Sequence, residues 1–212
     1  MKNAIITGYS SGIGKSIKDS LEKKGYNIIK LSSNFKDTQA VEKECKDILN
    51  SFDIDILINC AGIGCFEPLE EISVQNIKNM ININLTAPII LSAICLRSLK
   101  KTKGHIINIC SIEATRNSKF SAVYTATKSG LRNFSLSLFE ECRKSGVKVT
   151  SINPDMTDTN FFNNLKFEPT SNKDEYIDVT TISDMVIDII NCKSTITDVT
   201  IRPQKFAINK KR

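Results

Sequence analysis

Short apolar runs alternate along the chain with longer segments in which apolar residues recur at helical spacing. The apolar runs are rich in Ile, Val and Leu and lie at residues 3–7, 27–32, 54–59, 105–110, 147–152 and 197–201. Helical periodicity extends between them over residues 13–24, 38–51, 73–100, 121–145 and 181–192. This alternation is typical of βαβ units, which build a parallel sheet with helices on its faces.

We therefore expect a single α/β domain over residues 1–212, with a doubly wound parallel sheet of about six strands. Residues 158–178 have no clear period and follow the end of a strand, a position from which loops often cover a site. We predict a substrate loop or lid there. The last four residues, 209–212, are polar and basic, and we expect them to fray.

Charge and cysteine content narrow the classes of function. The formal net charge is +6, but the lysines are mixed with acidic residues along the helical segments, which favours a solvated surface over nucleic-acid binding. The seven cysteines form no CxxC pair and the chain has one histidine, so we expect no metal site. Cysteines of this kind indicate the reducing cytoplasm, and the first residues have neither a signal-peptide pattern nor a membrane span.

A glycine-rich turn joins the first apolar run to the first helical segment. It reads Thr-Gly-Tyr-Ser-Ser-Gly-Ile-Gly over residues 7–14. Missing side chains let backbone N–H groups and a helix N-terminus approach a pyrophosphate. An ordinary glycine-rich turn would give the same string, but its position between first strand and first helix favours a dinucleotide. Asn59-Cys60-Ala61-Gly62 adds a second platform of small residues at the same sheet edge.

Tyr124 and Lys128 are four residues apart in a helical segment and therefore project from one helix face. A nearby ammonium favours the phenolate, which would lower the tyrosine pKa and suit it to exchange protons as a general acid and base. By itself the pair also fits a partly buried aromatic residue beside a surface lysine. Ser111 ends a predicted strand, where a hydroxyl either holds a substrate oxygen or caps local backbone. Asn84 inside a predicted helix is unfavourable, and backbone bonding is its simplest explanation.

Taken together, these motifs resemble the short-chain dehydrogenase/reductase family. TGYSSGIG, NCAG, the Asn84 segment, GHIINICS, YTATK and INPDMTDT follow the order and spacing of that family over nearly the whole chain. The resemblance implies a Rossmann-like fold and an NAD(P)-dependent oxidoreductase acting on a carbonyl or secondary alcohol. It implies that Tyr124 is the acid and base, that Lys128 tunes it and binds the nicotinamide ribose, that Ser111 polarises the carbonyl, and that Asn84 supports a proton relay. The residues expected to contact the cofactor are Gly8, Ser10, Ser11, Gly12, Ile13, Gly14, Ser32, Ser33, Asn34, Asn59, Ala61, Gly62, Tyr124, Lys128, Pro154, Met156, Thr157 and Thr159.

The segment after the second predicted strand is shorter than the family pattern, so one strand and one helix are expected to be missing. Ser32 and Ser33 stand where an acidic residue would bind the ribose of NAD, and Asn34 replaces the residue expected near adenine. Without that carboxylate, and with Lys30 and Lys36 nearby, NADP(H) is the preferred cofactor. NAD(H) stays the alternative because no arginine clamp is visible.

The substrate is a small carbonyl or alcohol compound whose identity the sequence does not specify. Glu113, Asp155 and Phe161 are candidates to contact it, although each also fits a surface position. His105 is expected to be structural. The family and the apolar long helices favour a homodimer or homotetramer. A catalytically idle nucleotide-sensing or scaffold protein on the same fold is the alternative function.

Overall fold

The computed structural model describes residues 1–211, and its centre is a six-stranded parallel sheet. In chain order the strands are β1 (Asn3–Ile6), β2 (Asn27–Lys30), β3 (Ile56–Asn59), β4 (His105–Ile109), β5 (Lys148–Pro154) and, after a short β6 (Phe167–Glu168), β7 (Asp198–Ile201). Their spatial order is β2-β1-β3-β4-β5-β7. β2 passes directly to the next helix and then to β3, so the expected shortening after the second strand is confirmed.

Helices cover both faces of the sheet, as expected for a doubly wound α/β fold. They are α1 (Gly12–Lys23), α2 (Thr38–Leu49), α3 (Val74–Ile81), α4 (Ala87–Thr102), α5 (Ala122–Cys142) and α6 (Val179–Asn191). α1 and α6 pack on one face through an apolar cluster that includes Ile17 and Val186. α2, α4 and α5 bury Cys45, Leu91 and Leu138 on the other face. The predicted Rossmann-like α/β class is confirmed.

The helix predicted over residues 73–100 is present as the continuous helical run Val74–Thr102, but it is not α-helical throughout. A π-helical turn, Asn82–Thr86, separates α3 from α4. Turns of this kind occur frequently at functional sites, and this one contains Asn84. The helical run Val74–Thr102 is long and apolar enough to meet the length and composition of a membrane span, but half of its most apolar window is buried within the protein.

The expectation that the C-terminal tail frays is wrong for its described part. β8 (Asn209–Lys210) pairs antiparallel with β6, and the Lys211 amide donates to the Lys166 carbonyl at 2.9 Å. Arg212 lies outside the described residues. The tail is therefore joined to the predicted lid, residues 158–178, by backbone hydrogen bonds.

Candidate active site

A cavity of about 810 Å³ opens at the carboxyl edge of the sheet. Its walls come from the segments that follow β1, β3, β4, β5 and β7 and from the first turns of α5. Because parallel strands all end at this edge, residues far apart in sequence meet there. The predicted residues that line it are Gly8, Ser10, Ser11, Gly12, Ile13, Gly14, Ala61, Gly62, Ser111, Glu113, Tyr124, Lys128, Pro154, Asp155, Met156, Thr157, Thr159 and Phe161.

The glycine loop has no room for side chains at two of its positions. Gly8 has φ +68°, and a Cβ there would lie 2.9 Å from the Ala61 backbone. A Cβ on Gly14 would lie 2.2 Å from the Gly8 carbonyl oxygen. The Thr7 hydroxyl oxygen accepts hydrogen bonds from the Cys60 and Ala61 amides, each at 2.9 Å, and so joins this loop to the end of β3. The N-terminus of α1 thus faces the cavity behind a tightly packed cradle of the kind that suits a pyrophosphate.

Tyr124 and Lys128 lie on the cavity face of α5, as their spacing predicts. The Lys128 ammonium donates a 2.9 Å hydrogen bond to the Ile109 carbonyl and stands 5.9 Å from the centroid of the Tyr124 ring. Ser111, at the end of β4, lines the same cavity and is a hydrogen-bonding neighbour of the phenol. The three side chains are buried together, so the arrangement combines a proton donor, a cation and a hydroxyl in one place.

Burial governs the pKa of both titratable groups. It raises the pKa of Tyr124 above its ordinary value, and the Ser111 hydrogen bond offsets only part of this effect. Burial also lowers the pKa of Lys128. The net direction for Tyr124 is opposite to the lowering that the sequence predicts, because removing the phenolate from water outweighs its stabilisation by the Ser111 hydroxyl. A buried phenol of this kind stays protonated at neutral pH.

Asn84 lies behind the cavity wall rather than in it. Its side-chain oxygen accepts from the Ile63 amide at 2.9 Å, and its side-chain nitrogen donates to the Ile63 carbonyl at 2.8 Å. A Cβ on Gly62 would lie 3.5 Å from the Asn84 oxygen and 3.3 Å from the Lys128 nitrogen. Asn84 therefore holds the turn after β3 against the lysine, and the π-helical turn directs it there.

Phenylalanines cover the phenol from the side of the predicted lid. Phe66 and Phe161 lie 5.0 and 6.0 Å from the Tyr124 ring, centroid to centroid. Phe162 and Phe167 extend this surface at 5.3 Å from Phe161 and 5.2 Å from Phe66, respectively. The surroundings of the Tyr124 ring are therefore largely apolar, and they separate the phenol from water.

Surface positions for Glu113 and Asp155 are excluded, because both residues are only 6% exposed. The Glu113 carboxylate accepts hydrogen bonds from Arg116 Nε at 3.0 Å and from the hydroxyls of Ser118 and Ser121. Asp155 accepts from Arg202 Nε at 3.2 Å. Both carboxylates thus line the cavity while their oxygens are engaged by this chain's own side chains.

Four residues expected at the cofactor do not line the cavity: Ser32, Ser33, Asn34 and Asn59. The Asn59 side-chain nitrogen donates to the Asn108 side-chain oxygen at 2.7 Å inside the sheet. The Asn34 side-chain oxygen accepts from the Lys36 backbone amide at 3.0 Å. The sequence predicts that no carboxylate lies near the end of β2, and this prediction is wrong. Glu44, from α2, accepts from the Ser32 amide, the Ser32 hydroxyl and the Ser33 amide at 2.7–2.8 Å.

Glu44 is strongly acidic in this position. Partial burial raises its pKa, but the hydrogen bonds from Ser33 and Ser32 outweigh burial and bring the pKa to about 2. Glu44 was not predicted as a site residue, because it lies on α2 and not at the strand end, where the acidic residue of this fold is expected. Thr7, Phe66 and Arg116 were also not predicted. Thr7 immediately precedes the glycines, so it was open to prediction, whereas the other three reach their positions through tertiary packing.

Comparison with known proteins agrees with this geometry. The family model described as short chain dehydrogenase matches residues 47–169, more than half of the chain. An uncharacterised oxidoreductase of Staphylococcus epidermidis is 30% identical, and the alignment covers 95% of this chain and 97% of the relative. The chain belongs to the short-chain dehydrogenase family. Membership of the short-chain dehydrogenases makes it an oxidoreductase by class, and the predicted family is confirmed.

Solved structures show the same short-chain dehydrogenase fold. An alcohol dehydrogenase from the archaeon Thermococcus sibiricus, complexed with 5-hydroxy-NADP, superposes with a TM-score of 0.87 at 24% identity, over 98% of this chain and 99% of that one. A 4-hydroxyisoleucine dehydrogenase complexed with NADH gives a TM-score of 0.83 at 24% identity, over 96% and 97% of the two chains. At these identities the likeness concerns the fold.

Proposed function

We propose that this protein catalyses reversible hydride transfer between a nicotinamide cofactor and a carbonyl or secondary alcohol, with Tyr124 as acid and base. The proposal rests on one observation: Tyr124, Ser111 and Lys128 share a single cavity with the glycine loop. When bound, the nicotinamide supplies the hydride in reduction and accepts it in oxidation.

The side chains divide the remaining chemistry between them. In reduction, the Ser111 hydroxyl holds the substrate oxygen and Tyr124 gives its phenolic proton to that oxygen. The raised pKa keeps Tyr124 in the protonated form that this step requires. The Lys128 ammonium then stabilises the phenolate that remains. In oxidation, the phenolate removes the alcohol proton and the same contacts operate in reverse.

Asn84 acts in this proposal as a positioning residue beside the proton path. Its amide is committed to the Ile63 backbone and keeps the Gly62 turn close to Lys128. A role in passing protons towards Lys128, which the family resemblance implies, is part of the proposal. Residues 158–178 are the proposed substrate loop, since Phe161 and Phe162 line the cavity.

For the cofactor, the observations favour a nicotinamide dinucleotide without settling on one form. The sequence favours NADP(H), and solved relatives of this fold carry an NADP derivative or NADH. The Glu44 carboxylate accepts hydrogen bonds from the Ser32 and Ser33 amides, which follow β2, and its negative charge there disfavours a 2′-phosphate. We propose that both cofactors bind and that Glu44 lowers the affinity for NADP(H).

Cytoplasmic location and self-association complete the proposal. All seven cysteines are free thiols, which suits a reducing compartment.

Ile89 and Ile90 on α4 and Phe134 on α5 keep part of their apolar surface accessible. We propose that these helices meet in a homodimer or homotetramer, which light scattering of the purified protein at several concentrations will test.

Replacement of Tyr124 by Phe separates this enzyme from a catalytically idle nucleotide-binding protein on the same fold. The phenyl ring keeps the packing with Phe66 but has no proton to give. We expect turnover of a panel of carbonyl compounds to fall about 100-fold or more, while nicotinamide cofactor binding stays unchanged. Tyr26→Phe, at a tyrosine outside the cavity lining, is the matched control. Wild-type protein that binds the cofactor but turns over no carbonyl or alcohol would support the idle alternative.

A further inference from the structure

Among residues 1–211, cationic side chains outnumber acidic ones around the cavity. Arg116, Lys119, Lys128, Lys166 and Lys210 line it, against the two carboxylates of Glu113 and Asp155. Lys166 is paired with Glu67 at 3.1 Å, and Lys128 belongs to the catalytic group. Arg202 balances one of the two carboxylates by its contact with Asp155. Positive charge therefore remains at the mouth, on the 116–120 loop and on the C-terminal tail.

Arg116 is held in a fixed orientation at this mouth. Its Nε donates to Glu113 at 3.0 Å, and its Nη2 lies 3.8 Å from Asp155 Oδ1. The guanidinium carbon also stands 5.7 Å above the centre of the Phe206 ring. Within residues 1–211, the Arg116 side chain donates a hydrogen bond only through Nε, and its Nη groups make none. The side chain is 36% exposed. Its Nη groups are therefore oriented but available to a ligand.

The position of Arg116 links it to the reacting end of the cavity. The Glu113 amide donates to the Ser111 hydroxyl at 3.2 Å, so the carboxylate that orients Arg116 belongs to the same short turn as Ser111. The cavity that Arg116 shares with Ser111 and Tyr124 is also lined by phenylalanines, and two of these, Phe66 and Phe161, pack beside the Tyr124 ring. A ligand in this cavity can therefore contact the Ser111 hydroxyl, the Tyr124 phenol and the planar cation of Arg116.

We propose that the substrate carries, besides the carbonyl that is reduced, a carboxylate that Arg116 binds. A guanidinium presents paired N–H groups that match a carboxylate, and fixing it in advance reduces the entropy lost on binding. Glu113 and Asp155 are positioning residues for Arg116 and do not contact the substrate carboxylate. This inference rests on the proposed oxidoreductase function and names the class of substrate.

Two aldehydes of the same shape test the proposal. 4-Formylbenzoate carries the carboxylate, and 4-formylbenzamide replaces it by a neutral amide. We expect wild-type kcat/KM to be about tenfold or more higher for the carboxylate, since a charge-assisted bidentate contact is worth at least that factor. Arg116→Ala is expected to remove this preference while turnover of the amide stays within about twofold. Arg116→Lys, which keeps the charge but loses the planar fork, is expected to retain only part of it.

Binding provides a readout that does not depend on turnover. 4-Carbamoylbenzoate has no reducible aldehyde, and terephthalamide is its neutral counterpart. With saturating nicotinamide cofactor, calorimetry is expected to show tighter binding of the carboxylate to wild-type protein and equal binding of both to Arg116→Ala. Arg143→Ala is the matched control, because Arg143 likewise pairs with an acid three residues away, Glu140, and stacks on a ring, that of Phe139.

The outcomes separate this inference from the proposed function. Equal kcat/KM for the two aldehydes in wild-type protein, or a preference that persists in Arg116→Ala, would overturn the carboxylate proposal while turnover itself upholds the oxidoreductase. If Arg116→Ala does not fold, the wild-type comparison and Arg116→Lys decide the same question. Turnover of no carbonyl by wild-type protein would overturn the proposed function, and the binding measurement would still decide whether Arg116 selects carboxylates.

Discussion

The Lys128 nitrogen lies 5.9 Å from the centre of the Tyr124 ring and gives a hydrogen bond to the Ile109 carbonyl. The lysine is thus held by the backbone of β4 within electrostatic reach of the phenol. Burial raises the pKa of Tyr124 and lowers that of Lys128, so the phenol is protonated at neutral pH and its ionisation requires alkaline conditions. This relationship sets the pH dependence of the two directions of catalysis.

The first prediction concerns that pH dependence. Oxidation of an alcohol needs the Tyr124 phenolate, whose fraction grows with pH below the pKa, whereas reduction needs the phenol. We expect kcat/KM for oxidation to rise by about one log unit per pH unit across the neutral range. Reduction is expected to be nearly constant there. Initial rates in both directions at constant ionic strength will measure this, and an oxidation rate that levels off near neutral pH would contradict the raised pKa.

Gly14→Ala is expected to weaken cofactor binding. Its Cβ would lie 2.2 Å from the Gly8 carbonyl oxygen, so the cradle must open to admit it. We expect the Kd for nicotinamide cofactors, measured by fluorescence titration, to rise about tenfold or more. Gly25→Ala is the control: Gly25 has φ +82° and open space around it, so the substitution strains the backbone away from the cavity. That variant should lose about 1 kcal/mol of stability and keep its cofactor affinity.

Glu44→Gln tests cofactor selection. The glutamine amide keeps one acceptor oxygen, enough for the Ser32 donors, and removes the negative charge together with the second oxygen, which accepts from the Ser33 amide. We expect the affinity for NADPH to rise about threefold or more relative to NADH, because a charge repulsion near a partly exposed site is modest. Calorimetric titrations of both cofactors will measure the ratio. Glu42→Gln, on the same helix and paired with Lys46, is expected to leave it unchanged. An unaltered ratio in Glu44→Gln would show that this carboxylate has no part in selection.

The buried histidine His105 is expected to make the free energy of unfolding depend on pH. Burial lowers the pKa of His105 from 6.5 to about 3, and its ring contacts the Thr150 hydroxyl at 2.8 Å. A lowered folded-state pKa means that the unfolded chain binds the proton more tightly. The stabilisation is therefore complete above pH 6.5 and is lost as the pH falls towards 3. Urea titrations should show the free energy of unfolding falling by up to about 1.4 kcal/mol per pH unit between pH 6 and 5.

His105→Gln is the control for that measurement, because glutamine offers a polar group to Thr150 but does not titrate. Its free energy of unfolding should vary less with pH over the same interval, whatever its absolute stability. Wild-type protein whose free energy of unfolding is constant between pH 7 and 5 would show that His105 is protonated equally in both states.

Much of the fold was open to prediction because it depends on local pattern. Ile-rich runs alternating with amphipathic segments specify parallel strands and covering helices, and the six predicted strands match the observed strands of the parallel sheet to within two residues at every end. The π-helical turn at Asn82–Thr86 was not predicted, since the apolar period continues through it. The pairing of β8 with β6 was also missed, because two-residue strands have no period of their own.

The family, the glycine loop and the residues proposed for catalysis can be identified from the sequence, because contiguous motifs at characteristic spacing carry them. The electrostatics around these residues depend on the folded arrangement. Glu44 reaches the end of β2 from a helix, Arg116 is held between two carboxylates from different strand ends, and phenylalanines from distant segments desolvate Tyr124. Burial and charge pairing depend on contacts between residues that are distant in sequence, and local sequence patterns do not specify these contacts.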